Sequence, residues 1–320
     1  MYNRTKEKKM YHFIINSTAS SGKVMRTWKR YREILMEHTV KFAEHFPSSA
    51  SECIECVRSL KGHHIVAVGG DGSLNTVLQG IEDFEYTRLS CLPLGSGNDF
   101  AKALHISKRP VKALRHLIEN PVELTMDYGE INFTDADSGM QRTARFAISS
   151  GLGYDAEICE AIDRSRAKRV LNSIGLGKLI YLVKGSARMF SFRRNFGKTP
   201  CTANIVMDDG RELTLPNMFL CVAMNTPFQG GGMPFCPQAD WTDGLLDICC
   251  ADSMPVAKLM AAIMLVYARK HFIFKQVHHF RCKSISIKCS VPRFIHTDGD
   301  ARFKTDSFSA RIRTGLHLVY

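Results

Sequence analysis

One segment constrains this chain more than any other: HHIVAVGGDGSLNTVLQG, residues 63–80, where an apolar, β-branched run drives into Gly69-Gly70-Asp71-Gly72 and straight on into a helical stretch beginning near Ser73. A short run with no polar face reads as a strand buried on both sides. Glycines at the turn let the backbone approach an anion, and the free N–H groups and dipole of a helix start attract one. The segment therefore predicts an α/β unit with a phosphate cradle at the end of its strand. Asp71 is the odd member. A carboxylate beside phosphates repels them unless it holds a metal ion or faces a proton-bearing nucleophile, which points to Mg²⁺ or base chemistry. Alone, the same residues equally describe a glycine-rich turn with a helix-capping Asp.

A second loop repeats the device. In CLPLGSGNDFAKAL, a strand over Arg88 to Leu92 leads into Gly95-Ser96-Gly97-Asn98-Asp99 and then a helix. Upstream, YHFIIN reads as a strand, Lys23 to Glu37 as a helix, TVKFAEHF as an extended segment, and Ser49 to Leu60 as a helix closed by Gly62. Strand-to-helix units in series, from Met10 to about Pro121, predict a parallel sheet, and both glycine loops then fall in the crevice beyond its strand ends. SSGK at 20–23 lacks the first glycine and the Ser/Thr of a P-loop, and no G-x-G-x-x-G follows the first strand.

Past about Asp127 the pattern changes to strands: Arg142 to Ser149, Cys201 to Met207, Glu212 to Leu215, Asn217 to Met224, Leu245 to Cys250 and Ser284 to Lys288, with a DDG turn at 208–210. Helices at Tyr154 to Ala167, Leu179 to Ser191 and Pro255 to Ala268 interrupt them. A chain of 320 residues has room for two domains, and 45% apolar with 23% charged residues suits packed cores. Eleven cysteines scattered from Cys53 to Cys289 are an odd number and read as reduced thiols, with Cys53 and Cys56 as helix packing. The longest apolar stretch, Leu259 to Ala268, is ten residues, against about 20 for a membrane-spanning helix. The basic start lacks the apolar core of a signal peptide, so a cytoplasmic location is expected. A net charge of +12 favours anionic partners. Nucleic acid is not among those expected, because no recognition module accompanies the charge.

GGDGSLN together with PLGSGNDFAKAL resembles the diacylglycerol kinase catalytic-domain family, the lipid kinases that include bacterial diacylglycerol kinases and the sphingosine and ceramide kinases. FIINSTASSGK at 13–23, FQGGGMPFCPQADWTDGLLDI at 228–248 and HTDGD at 296–300 keep the family's order of motifs, so the resemblance spans nearly the whole chain. It implies an α/β nucleotide-binding domain over 1–127, joined by 305–320, and a β-sandwich lipid-substrate domain over 128–304, with the active site in the interdomain cleft. By the same resemblance Asn16, Ser20, Gly22, Gly69, Gly70, Asp71, Gly72, Asn75 and Ser96 line the ATP site. Asp240, Asp243 and Leu245 correspond to a Mg²⁺ site, and Asp298 and Asp300, with Asp71, to the catalytic carboxylates. Two acids flanking Gly299 could divide the labour, one taking a hydroxyl proton and the other holding water or Mg²⁺. The same pair also suits a plain Asp-Gly turn.

The expected activity is transfer of the γ-phosphoryl group of ATP to a lipid hydroxyl, most readily that of diacylglycerol, on a membrane's inner face. Arg164, Arg166, Lys168, Arg169, Arg188, Arg193 and Arg194 are the candidate contacts to an anionic surface. A homodimer stays open. Ser17, Ser20, Ala43 and Asp300 stand where the family usually has Pro, Gly, Thr and Glu. Two alternatives remain: an NAD kinase-like enzyme, which shares GGDG but fits PLGSGNDFAKAL poorly, and a catalytically silent lipid- or nucleotide-binding member.

Overall fold

The computed structural model describes residues 10–17, 23–163, 200–252 and 254–320. Ser20, Gly22, the arginine-rich stretch from Arg164 to Arg194 and the expected helix over Leu179 to Ser191 lie outside them. Among the described residues, no helix is long and apolar enough to cross a membrane. The chain divides into two compact units, the first running to Met126 and regaining Gly315–Tyr320, the second spanning Asp127–Thr314.

In the first unit β1 (Tyr11–Ile15) lies between β2 (Phe42–His45) and β3 (His64–Gly69), and β4 (Arg88–Pro93) follows β3, all parallel. The last residues of β14 (Asp300–Val319) add a parallel strand beside β4, through Leu318 opposite Leu89. Every residue of β3 is buried, as its unbroken apolar run requires. Helix α1 (Lys23–Glu37) buries Val24, Trp28, Tyr31, Ile34 and Leu35, a spacing that puts them on one face. They pack with Phe13, Ile15, Val66 and Val68 of the sheet and with Leu114 and Leu117 of α5 (Pro110–Glu119). Helix α2 (Ala50–Ser59) is capped by Ser49, whose hydroxyl accepts from the Glu52 N–H at 3.1 Å, and it turns Cys53 and Val57 inward. It packs against α3 (Asp71–Gly80), where a Cβ at Gly80 would stand 2.7 Å from that of Val57. Helix α4 (Asp99–Ala103) follows the second glycine loop.

The second unit is a β-sandwich. One layer is the antiparallel run β7 (Ser149–Gly153), β10 (Leu220–Met224), β11 (Leu246–Ala251) and β12 (Val277–Cys282). The other is built from β5 (Glu123–Thr134), β6 (Gln141–Phe146), β8 (Ala203–Met207), β9 (Glu212–Leu215) and much of β14. Strand β13 (Ser284–Thr297) serves both, pairing with β8 over Ile285–Cys289 and with β7 over Ile295–Thr297. The register irregularity between Lys288 and Arg293, where Pro292 removes a ladder donor, lets one strand change partners. Phe133, Phe146, Ile205, Ile248, Ile287 and Phe308 meet in the core between the layers. On the outer face of the β10–β11 pair, Val222, Met224 and Cys249 pack with α6 (Tyr154–Asp163) and α7 (Val256–Tyr267).

Candidate active site

The two glycine loops are one structure. Both leave the carboxyl ends of adjacent parallel strands, and the Leu94 N–H donates to the Gly69 carbonyl at 2.7 Å. Gly70 and Gly95 touch backbone to backbone: a Cβ on Gly95 would stand 2.6 Å from the Gly70 Cα, so neither position accepts a side chain. Asn98, in the left-handed region at φ 54°, turns its amide back to clamp Gly95, accepting from its N–H at 2.9 Å and donating to its carbonyl at 2.8 Å. With Asn98 so engaged, helix α4 takes its cap from the other loop. The Asp71 carboxylate accepts the N–H groups of Asp99 at 3.0 Å and Phe100 at 3.2 Å. Asp71 is thus a capping residue, but for the helix after the second loop.

That arrangement leaves the start of α3 with glycine as its N-cap and no side-chain hydrogen bond there, and nothing lies within 4 Å of a Cβ built on Gly72. A ten-residue helix opened this way offers its first N–H groups and the positive end of its dipole to an anion. From the end of β1, Asn16 donates its amide to the Ser73 hydroxyl at 3.1 Å, and Ser73 in turn fills the space beside Gly69. Asn16, Gly69, Gly70, Asp71 and Gly72 therefore come together at one sheet edge. Ser73, which sequence reasoning passed over, stands among them. Asn75 is buried one turn into α3, where its side-chain Oδ1 accepts from Gln79 at 3.1 Å, and Ser96 is exposed at the tip of the second loop.

In the second unit, Asp298 and Gly299 form the two-residue turn between β13 and β14, with φ of 49° and 89° and Thr297 opposite Asp300. Positive φ at both central residues is the tight hairpin geometry that Asp-Gly favours. The Asp298 carboxylate is fully engaged: it accepts the N–H of Ala147 at 2.9 Å, Ile148 at 2.8 Å and Ser149 at 2.9 Å. These three bonds fix the β6–β7 connection under the turn. Asp300 is half-buried at the start of β14, with its carboxylate accepting from Arg302 Nε at 2.8 Å.

Beneath the turn lies a buried pair that the sequence did not reveal. His296 Nε2 meets Asp155 Oδ2 at 2.6 Å, and the Gly299 N–H points to His296 Nδ1 at 3.4 Å. With Nδ1 accepting, Nε2 carries the proton and donates to the carboxylate, which holds the ring still behind Gly299.

The Asp240–Leu245 loop is built of turns. Asp240 accepts from the N–H and hydroxyl of Thr242, at 2.9 and 2.7 Å, and Asp243 accepts from the Leu245 N–H at 2.9 Å. A third acid joins them: Asp127 accepts the Gly244 N–H at 2.8 Å. Burial first, then the nearby Asp243 and Asp240 charges, push the Asp127 carboxyl above the usual range. Burial chiefly raises Asp243 too, although Arg281 pairs with its second oxygen. Repelling, all-oxygen donors suit a hard cation such as Mg²⁺, and Arg281 is the competitor such an ion would face.

Residues 10–131 match the diacylglycerol kinase catalytic domain, and residues 148–312 match the YegS C-terminal NAD kinase beta sandwich-like domain. YtlR of Bacillus subtilis is 27% identical over 298 residues, covering 91% of this chain and 93% of its own. A Mycobacterium tuberculosis diacylglycerol kinase is 27% identical over 236 residues, covering 74% of this chain and 70% of its own. A diacylglycerol kinase structure from Bacillus anthracis superposes with a TM-score of 0.66 at 16% identity, covering 99% of this chain and 98% of its own. Yeast NADH kinase is a more distant structural neighbour, with a TM-score of 0.50.

Proposed function

Because the chain belongs to the diacylglycerol kinase catalytic-domain family, we propose that it is an ATP-dependent lipid kinase whose acceptor is the free hydroxyl of diacylglycerol. The observation that carries this reading is the cross-tied pair of glycine loops. Gly70 against Gly95, locked by Asp71 and Asn98, holds the open N-terminus of α3 ready for nucleotide phosphates. Phosphoryl transfer asks the protein mainly to position groups and to neutralise charge. The first N–H groups of α3 take part of the phosphate charge. Mg²⁺ bound to the nucleotide supplies the rest when present, and the Asp127, Asp240 and Asp243 carboxylates suit a second cation. Asp300 takes the acceptor hydroxyl's proton. Its carboxylate pairs with the Arg302 side chain at the surface, whereas that of Asp298 accepts buried amides. The substrate is reached by peripheral contact of the basic protein with an anionic inner membrane face.

The test is transfer of labelled γ-phosphate from ATP with Mg²⁺ into the organic phase, using mixed vesicles of diacylglycerol, monoacylglycerol, ceramide, sphingosine and phosphatidylglycerol. A labelled phosphatidate spot that disappears in Asp300→Asn is the expected result. Another labelled lipid replaces diacylglycerol as the acceptor. Label in NADP when NAD is offered, with none in any lipid, overturns the reading.

A further inference from the structure

A second chemical site lies in the β-sandwich, among residues that phosphoryl transfer does not use. Cross-strand register sets it up: Cys249 of β11 lies opposite His279 of β12 and Asp247 opposite Arg281, so Asp247, Cys249 and His279 share the outer face of that pair. The segment before β11 brings Cys236 onto the same face, and the 3-10 turn His271–Ile273 brings His271. Among the described residues, the ligand atoms of Cys236, Asp247 and His279 form a group in which all lie within 4.8 Å of one another. His279 Nε2 is 2.6 Å from Asp247 Oδ1, and the Cys236 thiol donates to the Asp247 carbonyl at 3.8 Å. Cys249, opposite His279 in the ladder, packs in the same core cluster as Cys236.

An ordinary buried ion pair explains the His279–Asp247 contact but not the remaining donors. Asp247 is fully buried, yet its Oδ2 accepts no hydrogen bond, with the Arg281 guanidinium standing 3.6 Å away. Buried polar atoms left this way are costly. A thiol, an imidazole and a carboxylate converging in a shell of Phe235, Phe272 and Val222, with the Cys249 thiol on the same face, make a donor set for a borderline divalent ion, not for Mg²⁺.

We propose that Cys236, Asp247 and His279, with Cys249 as fourth ligand, form a metal site for Zn²⁺ or an ion of like softness. The imidazole is neutral as a ligand, so two thiolates and one carboxylate leave the bound ion with one surplus negative charge, which Arg281 offsets. His271 stands outside the four, with its Nε2 on the Phe235 carbonyl at 2.9 Å. His279, whose side chain is 25% exposed, gives the ion a route in from solvent. Occupied, the site would clip the segment carrying the glycine run of 230–232 to β11 and β12. It is independent of the kinase reading, since none of these residues is placed in phosphoryl transfer.

The test uses the full chain without a histidine tag, dialysed against Zn²⁺ and then metal-free buffer, with metal content measured by mass spectrometry and Co²⁺ substitution followed by absorption. One equivalent per chain is expected, with thiolate-to-cobalt charge transfer and intense tetrahedral d–d bands. Cys236→Ser and His279→Gln should each weaken binding at least about tenfold, and Cys249→Ser should reduce the charge-transfer intensity. Cys56→Ser, in the first unit, should leave all of these unchanged. Should the variants fail to fold, the wild-type cobalt spectrum still decides. Absence of stoichiometric uptake, a spectrum without thiolate bands, or affinity indifferent to both Cys236 and His279 would overturn the site. Unchanged intensity in Cys249→Ser would overturn the fourth ligand.

Discussion

Replacing Asp298 tests whether it holds the turn or performs chemistry. Its carboxylate accepts three backbone N–H groups, from Ala147, Ile148 and Ser149. Each buried amide left without a partner costs about 1–3 kcal/mol. Asp298→Ala removes all three acceptors and places alanine at φ 49°, where a residue other than Gly, Asn or Asp is strained by a further 1–2 kcal/mol or so. Because the turn is half-buried and water can reach part of it, the total should fall short of the sum, at about 3–5 kcal/mol. Asp298→Asn isolates the charge. Asn tolerates the left-handed conformation, and its carbonyl can still serve Ile148 and Ser149, but its NH₂ then faces the Ala147 N–H donor to donor. One lost charge-assisted bond and one such clash come to roughly 2 kcal/mol.

At about 2–4 °C per kcal/mol for a unit of this size, the unfolding midpoint should drop by about 4–8 °C in Asp298→Asn and about 6–20 °C in Asp298→Ala. Calorimetry on the full chain, with and without urea, reads both values, and lipid phosphorylation is measured on the same preparations below their midpoints. Midpoints within a degree of wild type in both variants, with turnover abolished, would refute the positioning role and return Asp298 to the chemistry.

Other perturbations separate the remaining acids and the loops. Asp300→Asn should shift stability by less than about 0.5 kcal/mol, since its partner is an exposed arginine, while turnover falls at least about 10²-fold; retained turnover would remove it as the base. Asp71→Asn weakens the cap on α4 and should cost about 1 kcal/mol as well as activity; an unfolding midpoint equal to wild type would deny the capping role. Gly95→Ala pushes a methyl into the Gly70 backbone, which should cost about 1–3 kcal/mol and raise the KM for ATP before it lowers kcat; an unchanged KM would deny that the loops hold phosphate. Asp127 and Asp243 have carboxyls raised by burial and by their acidic neighbours, so the folded state binds protons more readily than the unfolded one. Their contribution to stability is therefore present at low pH and lost as pH rises from the ordinary carboxylate range through the raised values. Mg²⁺ should raise the unfolding midpoint above that window and have little effect below it, and Asp127→Asn should blunt the difference.

What the sequence made legible follows the range of the forces involved. The glycine loops could be read because strand, turn and helix start lie within a dozen residues, so local periodicity and turn chemistry carry the signal. Strands β8 and β9 were readable for the same reason, joined by the Asp208-Asp209-Gly210 turn with Gly210 at φ 83°. Strands β12 and β14 were not, because VHHFRC and DARFKTDSFSARIRTGLHLV mix charged and apolar residues without clean alternation. Their pairing with β11 and β13 supplies what propensity does not.

The same distinction sorts the acids of the candidate site. Asp71 and Asp298 look catalytic in one dimension because each sits in a glycine-flanked motif. Their carboxylates also accept amides 28 and 149–151 residues away, at Asp99 and at Ala147–Ser149, which no local pattern reveals. A carboxylate that spends its lone pairs on buried N–H groups weakens those bonds if it takes up a proton, whereas an acid paired with an exposed arginine gives up only a solvent-screened ion pair. This contrast is why Asp300, not Asp298, is the base we propose in the HTDGD turn. Being one methylene shorter than the Glu common there, Asp300 as the proposed base would need the acceptor hydroxyl closer to the β13–β14 turn, so a longer side chain at this position should lower turnover unless the turn itself adjusts. Asp300→Glu carries that argument: full activity in the variant would show that the turn adjusts to either length, and loss of activity with an unchanged unfolding midpoint would show that this chain's pocket is built for the shorter acid.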